Sequence, residues 1–132
     1  GAHVGTICDG SFPTSLLTHW GRDRECGPRL DLPFLVQRQC RGTAEAVGLL
    51  DRGLLAPGYK ADVNIIDFDR LGLAPPRMVH DLPAGGKRLL QQSRGYLHTF
   101  VSGVETQAAG EPTGALPGRF VRGPQATPQK EA

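Results

Sequence analysis

The chain has few aromatics, little sulfur and almost no net charge. One Trp, two Tyr and five Phe make an aromatic content of 6%. So few stacking platforms rank a free-standing β-domain that binds a sugar or a peptide last among the possible functions. The 15 basic and 13 acidic residues nearly cancel, to +2. They form no basic stripe interleaved with aromatics, which argues against a nucleic-acid partner. No apolar run approaches the ~20 residues that cross a bilayer, so no membrane partner is expected. The start, Gly1-Ala2-His3-Val4-Gly5, has no basic region before an apolar stretch and is no signal peptide. Three cysteines, Cys8, Cys26 and Cys40, cannot all pair within one chain, and none belongs to a C-x-x-C. They read as reduced thiols in a cytoplasmic protein.

Glycine and proline are abundant, at 18 and 11 of 132 residues. That mixture favours turns and short strands over a helical bundle. Residues 1–30 are broken by Gly and Pro at short intervals, leaving room for one short helix from Pro13 to Trp20 with Leu16, Leu17 and Trp20 on one face. Arg22-Asp23-Arg24-Glu25 reads as a solvated surface turn. Asp31 is a good N-cap, with Pro33 in the first turn, and Leu32, Leu35, Val36 and Cys40 follow helical spacing. Gly42 should end that helix, Thr43 cap a second over Ala44 to Val47, and Gly48 stop it. Turn signals then bracket Leu54-Leu55. Strands are expected over Asp62 to Phe68, Lys87 to Gln91, Tyr96 to Val101 and Glu105 to Gln107, with Ser102-Gly103 as a two-residue hairpin turn. The polar tail from Pro124 to Ala132 should fray.

The run Thr43-Ala44-Glu45-Ala46-Val47-Gly48-Leu49-Leu50-Asp51-Arg52-Gly53, continued by Ala56-Pro57-Gly58-Tyr59-Lys60-Ala61-Asp62-Val63-Asn64-Ile65-Ile66-Asp67, resembles the C-terminal signature of the amidohydrolase superfamily. There the chain leaves a (β/α)8 barrel and enters a β-sandwich. Gly1 to Asp9, His80 to Leu89 and Glu111 to Arg119 resemble the corresponding stretches of N-acyl-D-amino-acid deacylases (D-aminoacylases). The resemblance implies an α+β fragment. Residues 1–50 are the end of a TIM barrel, its last loop and helices. Residues 51–123 are part of a small β-sandwich, and 124–132 form a flexible tail. It also implies a parent enzyme that hydrolyses a non-peptide C–N bond of N-acyl-D-amino acids, with a divalent metal, zinc by family habit, that lowers the pKa of its water toward ~7. The Asp that accepts the proton would lie just upstream of Gly1, and no H-x-H or H-E-x-x-H is present. No catalytic or metal-ligating residue is therefore assigned within the chain, which should be inactive alone. It should need the missing barrel and N-terminal strands as partners and, isolated, should aggregate or stay molten through open strand edges. A sharp cooperative melt of the monomer would count against that. The alternative is a non-catalytic scaffold or interaction module of the same descent.

His3, Asp9, Ser11 and Thr14, on the loop after the expected last barrel strand, are the candidates for the active-site rim that touches the small-molecule substrate. His3 reads equally well as a histidine that satisfies loop backbone groups. Cys8 with His3 offers metal-like residue types, but two ligands on an irregular loop favour a structural role. His19, His80 and His98 are scattered; His98 alternates with Tyr96 and Phe100, which favours packing or hydrogen bonding. His80-Asp81 resembles an acid–base pair, yet neighbours on an extended chain point to opposite sides. Ser93, Ser102 and Cys40 have no base at a recognisable spacing. Gly85-Gly86 lacks the frame of a phosphate loop and reads as a hairpin or bulge.

Overall fold

The computed structural model describes residues 9–129, so His3 and Cys8 lie outside the described residues. Helix α1, Phe12–Ser15, runs directly into a π-helix over Leu16–Asp23. The wider winding shows at its end, where the Arg24 amide donates to the His19 carbonyl at 2.9 Å. Gly21, expected to lie beyond the helix, is inside it. A β-carbon there would sit 3.1 Å from Leu35 Cδ1, so the glycine is a close-packing site.

Helix α2, Leu32–Gln39, has Asp31 at its N-cap and Pro33 in its first turn, although the Asp31 side chain makes no cap bond. Of its expected apolar stripe only Leu35 is buried, at 1% exposure; Leu32, Val36 and Cys40 are exposed. The break falls at Cys40 (φ −110°, ψ −82°), and helix α3, Arg41–Ala46, contains both Gly42 and Thr43. Thr43 therefore does not cap the start of a helix. Its hydroxyl donates to the Gln39 and Cys40 carbonyls at 2.8 and 3.0 Å, closing the end of α2 instead.

The strands follow as β1 (Val63–Ile66), β2 (Gly72–Leu73), β3 (Arg77–Leu82), β4 (Gly86–Leu90), β5 (Ser93–Arg94), β6 (Tyr96–Val101), β7 (Val104–Ala108) and β8 (Glu111–Pro112). An antiparallel sheet of order β1-β6-β7-β8 is joined by two two-stranded pairs, β2 with β5 and β3 with β4. These pairs form one long hairpin, because the Ala74 amide donates to the Gln92 carbonyl at 2.8 Å between them. The strands expected near 62–68, 87–91, 96–101 and 105–107 correspond to β1, β4, β6 and β7. Ser102 and Gly103 turn with φ of +51° and +78°, the left-handed pair that a tight hairpin needs. Leu54 and Leu55 form no strand, and both are exposed. Strand β3 was not legible, since Arg77, His80 and Asp81 carry no β-branched signal; it is held by its pairing with β4.

The core is small. Leu17, Leu35 and Leu71 form its buried centre, with Phe68, Ile66 and Tyr96 packed against them. The helical segment and the β-region thus share one core. Leu55, Leu116 and Phe120 are among the large apolar side chains left outside, at 86, 94 and 81% exposure. Strands β1 and β8 are the edges of the sheet among the described residues. No helix among the described residues is long and apolar enough to cross a membrane. The segment expected to fray, Pro124 to Ala132, holds a paired residue near its start: the Gln125 amide donates to Gly48 O at 2.8 Å and its carbonyl accepts from the Leu50 amide at 3.0 Å.

Arg22 corrects the reading of its neighbourhood as a plain solvated turn. Its guanidinium donates to the backbone carbonyls of Phe68, of Asp69 at 3.1 Å and of Leu71 at 2.8 Å, and it lies over the Phe68 ring. Asp23 holds the fork from the other side at 2.6 and 3.0 Å. Arg24 is likewise engaged, over the Trp20 ring and against Cys26 O. One side chain therefore ties the π-helix to the loop after β1. Arg22→Ala leaves those carbonyls without their charged donor and is expected to destabilise by about 1.5–3 kcal/mol. Arg22→Lys keeps the charge but not the fork and should recover less than half of the loss. Urea unfolding of the two variants measures both; a surface turn would give no loss in either.

Candidate functional site

A cleft of about 250 Å³ opens where the loop before α1 meets the sheet. Two of the four rim candidates are there. Ser11 Oγ donates to Gln91 Oε1 at 2.6 Å, and Thr14 Oγ1 bonds the Tyr96 hydroxyl at 2.7 Å. The floor is a polar row set by strand register: Asn64 pairs with Thr99, and Thr99 with Gln107. Thr99 Oγ1 donates to Asn64 Oδ1 at 2.8 Å. Gln91 is fixed from its other end, donating to Ala74 O at 3.0 Å. The cleft brings the rim candidates Ser11 and Thr14 together with Asn64, Gln91, Tyr96, Thr99 and Gln107, which sequence reasoning did not single out as site residues. Alternation along a strand gives each side chain a face; only the register brings Asn64, Thr99 and Gln107 side by side.

Asp9 does not join this cleft. It lines another one of about 420 Å³ with Phe12, Leu16 and Trp20, and Ser11 borders both clefts. His19 packs edge-on against Trp20 at 5.3 Å. His98 Nδ1 meets Glu105 Oε1 at 2.5 Å across the β6–β7 pair, with Phe100 beside the ring at 6.2 Å. His80 and Asp81 take different partners, the Gly85 carbonyl and the Arg88 guanidinium, so they form no acid–base couple. Among the described residues Ser93, Ser102 and Cys40 have no hydrogen bond to a histidine. No group of three or more His, Cys, Asp or Glu among the described residues is arranged to hold a metal ion. The described donor set thus does not fit the metal that the resemblance implies.

The ionic groups do structural work. Arg52 clasps Asp51 at 2.8 and 3.1 Å and lies 3.8 Å from Asp62, whose other oxygen accepts the Ser102 amide at 2.8 Å. This network ties the turn after Asp51 to the β6–β7 turn. Hydrogen bonds from Arg52, Arg22 and Arg88 hold the carboxyls of Asp51, Asp23 and Asp81 below the usual aspartate range, against a smaller opposing effect of desolvation. A depressed carboxyl stabilises the fold fully above its unfolded pKa of about 3.9 and loses that contribution as pH falls through the folded value. Asp51→Asn should therefore melt below the wild type at neutral pH, with the gap closing as pH drops below about 4. A gap independent of pH would show that charge plays no part.

Taken together, the described residues form a mixed α+β domain with antiparallel sheets, a hydrogen-bonding cleft and no nucleophile–base pair. Residues 2–107, from the lead-in to β7, match the model of the Amidohydrolase family, and the chain belongs to that family. No curated protein and no solved structure matches the chain.

Proposed function

We propose that the chain is the C-terminal part of a metal-dependent amidohydrolase that hydrolyses a non-peptide C–N bond, with N-acyl-D-amino acids as its substrate class. The observation that carries this reading is the family match over residues 2–107. The stretches at 1–9, 80–89 and 111–119 that resemble D-aminoacylases narrow it. The metal, zinc by resemblance, belongs to residues outside this chain, as does the proton-accepting Asp; the described residues offer no ligand set of their own. The chain's part is positional: Ser11 and Thr14 fasten the segment after the last barrel strand to Gln91 and Tyr96 of the β-region. The free thiols Cys26 and Cys40 support a cytoplasmic protein.

The complete gene product tests this directly. Bound divalent metal and hydrolysis of N-acyl-D- over N-acyl-L-amino acids are expected together. A metal-free protein without amidase activity, encoded by a gene with no Asp just before Gly1 and no H-x-H further upstream, would replace the enzyme with a scaffold of amidohydrolase descent.

A further inference from the structure

The cleft beside Ser11 continues into a second one of about 440 Å³, the two sharing Gln91, Ser93, Tyr96 and Gln107. The result is one groove across the sheet face. Its polar lining is dominated by carboxamides and hydroxyls, and among the described residues its only charged ones, Arg94 and Glu111, lie in the second cleft. We propose that this groove binds a neutral saccharide unit. The inference goes beyond the hydrolase reading and does not depend on it.

Three features support the assignment. A carboxamide presents both donors and an acceptor, which matches the paired donor and acceptor character of neighbouring sugar hydroxyls. An ionic ligand would leave water for the first cleft and find no counter-charge there, a costly transfer. A peptide would seek unpaired backbone at a sheet edge, whereas the floor of the first cleft, Asn64, Thr99 and Gln107, presents side chains on a sheet face. The groove is also partly preorganised. Gln91 is held by Ser11 and Ala74, and Asn64 by Thr99. Among the described residues, Asn64 Nδ2, the Gln107 amide and Ser93 Oγ have no protein partner, and all three residues line the groove. Fixed groups beside open ones reduce the ordering cost of binding. The scarcity of aromatics limits stacking to Tyr96, so affinity rests on hydrogen bonds and should be weak.

Side-chain amide NMR signals of the full chain, titrated with glucose and N-acetylglucosamine, test this. Both sugars should shift the signals of Asn64 and Gln107, and glucuronate should shift them less. Gln107→Leu and Asn64→Leu should each weaken binding about three- to tenfold. Lys87→Ala, on the hairpin away from the groove, should leave it unchanged. Four results would overturn the proposal: no shift at tens of millimolar sugar, equal binding of glucuronate, no effect of either leucine variant, or stronger shifts from a blocked dipeptide.

Discussion

Gly95→Ala is expected to be the most damaging glycine-to-alanine change among the described residues. Gly95 joins β5 to β6 with φ of +90°, and an added β-carbon would lie 2.6 Å from Leu71 Cα and 2.7 Å from Leu71 N. Both neighbours are backbone, so no side chain can swing aside. Leu71 itself is at 1% exposure in the core, and the Gly95 carbonyl accepts the Asp67 amide at 2.8 Å. The left-handed conformation alone costs an alanine about 1–2 kcal/mol. The backbone collision adds about 1–3 kcal/mol. Gly110→Ala separates the two effects, because Gly110 has φ of +86° and nothing within 4 Å of the added carbon. Urea midpoints of the two variants should differ widely, with only the strain showing at Gly110. Equal losses would mean that the approach to Leu71 is unimportant.

Leu35→Ala should follow closely. Leu35 and Leu71 are the largest fully buried side chains, and Leu35 packs with Leu17 and against Gly21. Removing its branched end leaves a cavity in a core with little else to close it, at a cost of about 2–5 kcal/mol. Single domains are stable by only about 5–15 kcal/mol, so much of the margin would go. The neighbouring Val36 is exposed, and Val36→Ala should change stability by no more than about 0.5 kcal/mol. Comparable losses at the two positions would restore the broad apolar stripe that helical spacing suggests.

That pair also shows what the sequence made legible. Helical spacing correctly put Leu35 on an inward face, but it extended that face to Leu32, Val36 and Cys40. Spacing reports which residues share a side, not how much protein lies against it. Strands rich in β-branched and aromatic residues, such as Val63–Ile66 and Tyr96–Val101, were legible because their local preference agrees with their partners. Strand β3 was hidden because its stability comes from pairing with β4 and from the Asp81–Arg88 bond. Arg22 was hidden for a similar reason. Its acceptors are carbonyls far along the chain, and carbonyls leave no mark on residue type. Ser11 and Thr14 came from resemblance, while the Asn64–Thr99–Gln107 row came only from register.

The bridge between Leu49 and Gln125 sets an order of events during folding. The exit from the helical segment finds its partner only after the chain has passed through every strand of the β-region. Until then Gly48 O and the Leu50 amide remain solvated, and the closing contact must gather in a long span of chain at once. Contacts of such sequence separation are slow to form. This seam is therefore expected to close after the β6–β7 hairpin, whose strands are neighbours in sequence.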